Sequence, residues 1–320
     1  MLTRRDIRIK VMQALYAFYL SENNRPDQGE KQLADSLEKI YQLYIRQLSF
    51  LDEVVKFAEK RIDENRQKLL PTPEDLNPNT RFVENKIIDS LRANRDYQNF
   101  SEKIRINWSL QEEMIRKFYN ELRSTDEFRK YMEKASVTFD DDRELLLFMV
   151  RNMMVSFEIL QYHYEEMNIH WVDDYDTVLQ MLERTLKGWK EKQDPTTHLP
   201  ALYKQVLEGE DDDYRFAMDL FRKVLLHSSK YDAIIEKKIS NWEFDRVAKV
   251  DILLLRMAVC EFLEFPTIPV KVTINEYIDI SKIFSSPKSK LFINGMLDKL
   301  ALHFREEGTL KKSGRGLIDN

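Results

Sequence analysis
Ile7, Val11, Ala14, Leu15 and Phe18 recur at three- and four-residue intervals, one apolar stripe on a helix that runs to about residue 21. Thr3, just ahead of the stripe, is a suitable N-cap. Gly29 and its polar neighbours then predict a break. From residue 30 to about 69 the helical period resumes through Leu33, Leu37, Ile40, Leu43, Leu48, Leu51 and Val54. Pro71, Pro73 and Pro78 predict a loop over 70–78, because closely spaced prolines cannot continue a helix.

Further helices are predicted near 80–94, 110–122, 126–135, 142–167 and 175–192. Residues 193–200 and the acidic run 208–213 read as connections. Four more helices are expected between Tyr214 and Arg305, with breaks near Ser229, Asn241, Pro266 to Pro269, and Ser285 to Ser289. Leu147-Phe148 precedes Trp171 by about the interval that separates Leu220-Phe221 from Trp242. A decayed duplication or chance among helices of similar composition both account for this echo.

Composition sharpens the fold class. The chain has 7 glycines in 320 residues, roughly a third of ordinary usage, so there is little material for tight hairpins and the reading is all-α. A net charge of −5 argues against a generic nucleic-acid coat. Any RNA site must be a local basic patch on an acidic body. The lone Cys260 lies in an apolar run and reads as a small core residue. No apolar run has the length of a membrane span.

Parts for catalysis are missing from the pattern. Glycine-rich phosphate loops have no counterpart ahead of the tail, and His163, His170, His198, His227 and His303 show no metal-ligand grouping. Three segments do invite a function. Arg5, Arg8, Met12 and Tyr16 form one column on the first helix, with Arg4 at its start. Such a cluster suits phosphate and splayed bases, and equally an ordinary charged helix end. Lys288 and Lys290 enter a later helix beside Phe292, whose ring either packs inside or offers a base a stacking face. Gly295 there suggests a close backbone approach. Between them, Ile252–Leu255, Met257–Val259, Phe262 and Leu263 are apolar nearly all round. That predicts a buried helix on which Arg256 and Glu261 need partners, with Glu276 expected to serve Arg256.

The series Asn241-Trp-Glu-Phe-Asp-Arg246, Asp251-Ile-Leu-Leu-Leu-Arg256, Glu261, Ile268-Pro-Val-Lys-Val-Thr-Ile-Asn-Glu276 and Phe292-Ile-Asn-Gly-Met-Leu-Asp298 resembles the C-terminal half of the NusB family of bacterial transcription antitermination factors. Arg4-Arg5-x-x-Arg8 followed by Gln13-Ala-Leu-Tyr16 is similar to that family's arginine-rich first helix. The resemblance covers residues 1 to about 22 and about 212 to 306. It implies an all-α, NusB-like helical bundle made of 1–22 and 212–306, interrupted by a helical insertion at 23–211 and followed by a disordered tail at 307–320.

The resemblance also implies a role without catalysis, metal or cofactor. Arg4, Arg5, Arg8, Lys288, Lys290 and Phe292 would meet boxA-type single-stranded RNA. Tyr16 and Asp251 would meet a ribosomal protein, NusE. The pair would help RNA polymerase pass terminators, notably in rRNA operons, in the cytoplasm and away from membranes. The alternative is a helical interaction scaffold that kept the fold and lost RNA binding; the presence of all three arginines speaks against it.

Overall fold
The computed structural model describes residues 2–21, 25–203, 213–239 and 247–317. The motif at 241–246, its Trp242 and the acidic run short of Asp213 lie outside them, so the echo between Trp171 and Trp242 has no structural counterpart to compare. The protein is all-α, with fifteen α-helices and no strand among the described residues.

The chain divides into two compact units, one of residues 38–202 and one of residues 2–37 with 203–320. The expected insertion, 23–211, differs from this division at both ends. The second unit contains α1 (Arg4–Leu20), the first twelve residues of α2 (Pro26–Arg66), α11 (Asp213–Leu226), α12 (Ser228–Glu236), α13 (Lys249–Glu264), α14 (Val270–Phe284) and α15 (Ser289–Glu306). The first unit holds the rest of α2, then α3 (Pro73–Leu76), α4 (Lys86–Ala93), α5 (Arg95–Lys103), α6 (Glu112–Ser124), α7 (Asp126–Glu133), α8 (Phe139–Phe148), α9 (Glu158–Met167) and α10 (Trp171–Gly188).

Capping sets the start of α1. Thr3 and Asp6 close a reciprocal box, each side chain bonding the other's backbone N–H. Ile7, Val11 and Leu15 are then fully buried, and α1 lies against α11 and α13. Helix α13 is buried nearly all round, including Cys260, as its unbroken apolar pattern requires.

Gly29 does not interrupt α2, which starts at Pro26 and runs through it. A Cβ there would lie 2.6 Å from Phe221 Cζ and 2.9 Å from Phe18 Cδ2, so the missing side chain lets the helix approach those two rings. Gly295 has no such neighbour: nothing lies within 4 Å of where its Cβ would be. The stretch 142–167 is not one helix. It passes from α8 through a π turn (Met149–Met153) and a 3-10 turn, and breaks at Phe157 before α9. Helices α3 and α5 went unpredicted, and the described residues between Tyr214 and Arg305 form five α-helices where four were expected.

The described residues after α15 lie against the end of α13. Lys312 Nζ donates to the backbone carbonyls of Glu261 and Phe265, both at 3.0 Å. It thereby caps the negative end of α13, and burial pushes its ammonium down to about 8. Ser313 N–H donates to the Pro266 carbonyl at 3.0 Å, and a Cβ on Gly316 would strike that oxygen at 2.0 Å. No other residue type fits there without moving the chain.

In the 38–202 unit the aromatic core runs through Phe50, Phe118 and Phe157 in edge-on contacts. Asp52 is a buried polar hub on α2. It accepts from Arg92 Nε at 2.6 Å and Tyr97 OH at 3.2 Å, and pairs with Lys56 Nζ at 2.8 Å.

Candidate nucleic-acid interface
Arg8 is not a surface residue. Its side chain is 2% exposed and Glu261 is fully buried. Arg8 Nε donates to Glu261 Oε1 at 2.6 Å and its second guanidinium nitrogen to Oε2 at 2.9 Å. Tyr277 OH donates to Oε1 at 2.7 Å and Thr273 Oγ1 to Oε2 at 3.0 Å. The carboxylate therefore receives four donors, two on each oxygen. Burial opposes the charge on Arg8, but Glu261, with Tyr277 and Glu276, outweighs it and raises the guanidinium pKa. This corrects the placing of Arg8 among RNA contacts, because a guanidinium locked inside the core has no face left for phosphate.

Arg4 and Arg5 stay at the surface, though engaged. Arg4 Nε donates to Asp213 at 2.9 Å and its guanidinium lies 4.5 Å from the centre of the Phe216 ring. Arg5 is 40% exposed; it takes both Glu276 oxygens at 3.0 Å and reaches Asp279 at 2.7 Å. Its hydrogen bond with Glu276 raises its pKa. Glu276 thus serves Arg5, while Arg256, expected to take Glu276, pairs with both oxygens of Asp232 at 2.6 and 2.7 Å.

Helix α14 carries the basic series onward. Asp279 also accepts from Lys282 Nζ at 2.5 Å. Lys282 is exposed and lies two residues before the end of α14. The loop that follows leads to Lys288 and Lys290, both exposed, and to the half-buried Phe292 on α15. From Asp279 to the last residue of α14 the rise is roughly 8 Å. Lys282 escaped the sequence reading because it lies outside every family-like motif; its three-residue spacing from Asp279 was the available signal.

Asp251 departs from its expected role. It is 4% exposed, and its Oδ1 accepts from Ser285 Oγ at 2.5 Å. Ser289 Oγ lies 2.9 Å from both Ser285 Oγ and Ser286 Oγ, so the three serines form a cluster over the carboxylate. The carboxylate lies beneath the loop that carries Lys288 rather than facing a partner. Tyr16 remains half-exposed and lines a groove with Tyr19, Leu20, Lys249, Ile252 and Arg256. The two residues expected to share a surface lie on adjoining helices, and one of them is turned inward.

Among the described residues no group of His, Cys, Asp and Glu is arranged to hold a metal ion. No single helix among them is long and apolar enough to cross a membrane.

The NusB family model matches residues 176–302, a span that leaves out α1. The chain is 43% identical over 120 residues to the transcription antitermination protein NusB of Salinibacter ruber, covering 38% of this chain and 75% of that protein. To the NusB of Listeria monocytogenes serotype 4a it is 43% identical over 103 residues, 32% of this chain and 79% of that one. The solved structure of T. maritima NusB is 33% identical, covers 28% of this chain and 63% of its own, and has a TM-score of 0.27. On the extent and identity of the matches to these relatives, this chain belongs to the NusB family of transcription antitermination proteins.

Proposed function
We propose that this protein is a cytoplasmic antitermination factor that binds boxA-type single-stranded RNA together with ribosomal protein NusE, in support of rRNA transcription. The observation that supports it most is the basic run from Arg4 and Arg5 on α1 through Lys282 on α14 to Lys288 and Lys290 at α15, within one compact unit of an acidic chain. Arg5 must exchange Glu276 and Asp279 for phosphate. The Arg5 side chain is 40% exposed, so this exchange costs less than breaking a buried pair. The buried Arg8 pair is out of reach of any such exchange.

A titration of boxA-type RNA at two salt concentrations, with and without NusE, tests the reading. Arg5→Gln should weaken binding and lower the salt slope by about 0.7, the share of one single-strand phosphate that is no longer neutralised. Phe292→Ala should cost roughly 1–3 kcal/mol of RNA affinity with little change in slope, the signature of a stacked base. Normal affinity with a large fall in melting temperature would instead put that ring in the core.

Tyr16→Ala should weaken NusE binding by about 1–2 kcal/mol, as expected for a half-buried aromatic anchor in a groove. Asp251→Asn should act on the serine loop and therefore on RNA affinity, leaving NusE binding unchanged. Loss of NusE binding with RNA binding intact would return Asp251 to the partner surface. The engagement of Arg4 and Arg5 by carboxylates favours a second reading, a helical interaction scaffold without RNA binding. Absence of RNA binding at low salt with NusE present would select it.

A further inference from the structure
In the 38–202 unit, Val155, Ile159, Tyr162, Met167, Ile169 and Val172 are all exposed, Tyr162 by 60% and Ile169 by 68%. No other described stretch of this length holds more than three exposed large apolar side chains. Single exposed apolar groups are ordinary, whereas a concentration of them marks an interaction site.

The backbone creates this one. Phe157, at φ −85° and ψ 81°, ends the preceding helix, and the axis turns by 73° into α9. On α9, Leu160 and Tyr164 face the core. Ile159 and Tyr162, three residues apart, lie on the outward side with Glu158, Glu165 and Glu166.

Charge narrows the occupant. From Asn152 to Glu183 the sequence contains no lysine or arginine, while Glu158, Glu165, Glu166 and Asp176 are exposed. RNA, an anionic lipid surface or a second copy of the same face would each bring negative charge onto negative charge. An amphipathic helix with basic flanks satisfies both features: its apolar side covers Ile159 and Tyr162 while its lysines or arginines meet the carboxylates. We propose that the outward face of α9 and the start of α10 docks a basic amphipathic helix of a partner protein.

The test uses the full chain and a fluorescent leucine–lysine peptide of about eighteen residues with helical apolar spacing. A scrambled peptide of the same composition and a leucine–glutamate counterpart serve as controls. The ordered leucine–lysine peptide should bind at least about tenfold more tightly than either control. Ile159→Ser and Tyr162→Ser, made singly and together, should weaken it by about tenfold in combination. Their melting temperatures should stay near that of the parent, because both side chains are exposed. Glu165→Lys with Glu166→Lys should weaken the same peptide and improve binding of the leucine–glutamate one. Equal binding of the scrambled peptide, or binding unaffected by the serine variants, would overturn the proposal. So would a concentration-dependent dimer, or binding to anionic vesicles, that those variants abolish.

Discussion
Arg8→Ala is expected to destabilise the unit built from residues 2–37 and the C-terminal helices by about 3–5 kcal/mol, the cost of stranding a buried charge. Glu261 would remain in the core with only the Thr273 and Tyr277 hydroxyls as donors. Against a typical total of about 5–15 kcal/mol, that loss would leave much of the protein unfolded on modest warming. The proposed RNA binding would then fall for reasons unrelated to contact. Urea unfolding followed by circular dichroism measures the loss directly. Glu261→Ala should cost a similar amount. The double substitution Arg8→Met with Glu261→Leu should recover much of it, since apolar groups of similar volume often replace a buried pair without penalty. A cost under about 1 kcal/mol for Arg8→Ala would match an exposed pair and refute the buried one.

Asp52→Ala should destabilise the other unit, by about 1.5–3 kcal/mol, the worth of hydrogen bonds to a charged group. Asp52 is 2% exposed and holds Arg92, Lys56 and Tyr97 together. Residues 38–202 are proposed to open as a cooperative unit of their own. If so, hydrogen exchange in Asp52→Ala should accelerate in peptides from 38–202 while α1 and α13 keep their protection. Arg8→Ala should produce the reverse pattern. Loss of protection in both units in either variant would contradict independent opening.

Much of the helical architecture was legible from local chemistry. Thr3 announced the start of α1, to which the structure adds Asp6, and the unbroken apolar run of α13 announced its burial. Both depend on neighbours three or four residues away, a range that periodicity captures. Family membership was legible for a related reason, since it rests on identities and spacings along the chain. The sequence also established that Glu261 would need a partner, because a charge on a buried helix is costly alone. It could not say that the partner was Arg8, 253 residues away, since nothing in local spacing encodes which helix faces which. The same limit applied to Asp251, read as exposed and found against Ser285. It applied to Gly29, read as a break and found filling the approach to Phe18 and Phe221, and to the tail, which is held by carbonyls at the end of α13. Composition and period determined that this chain is helical and which faces seek the core. Only the tertiary structure decided which charges those faces carry inside and which remain at the surface, because burial and pairing arise where distant segments meet.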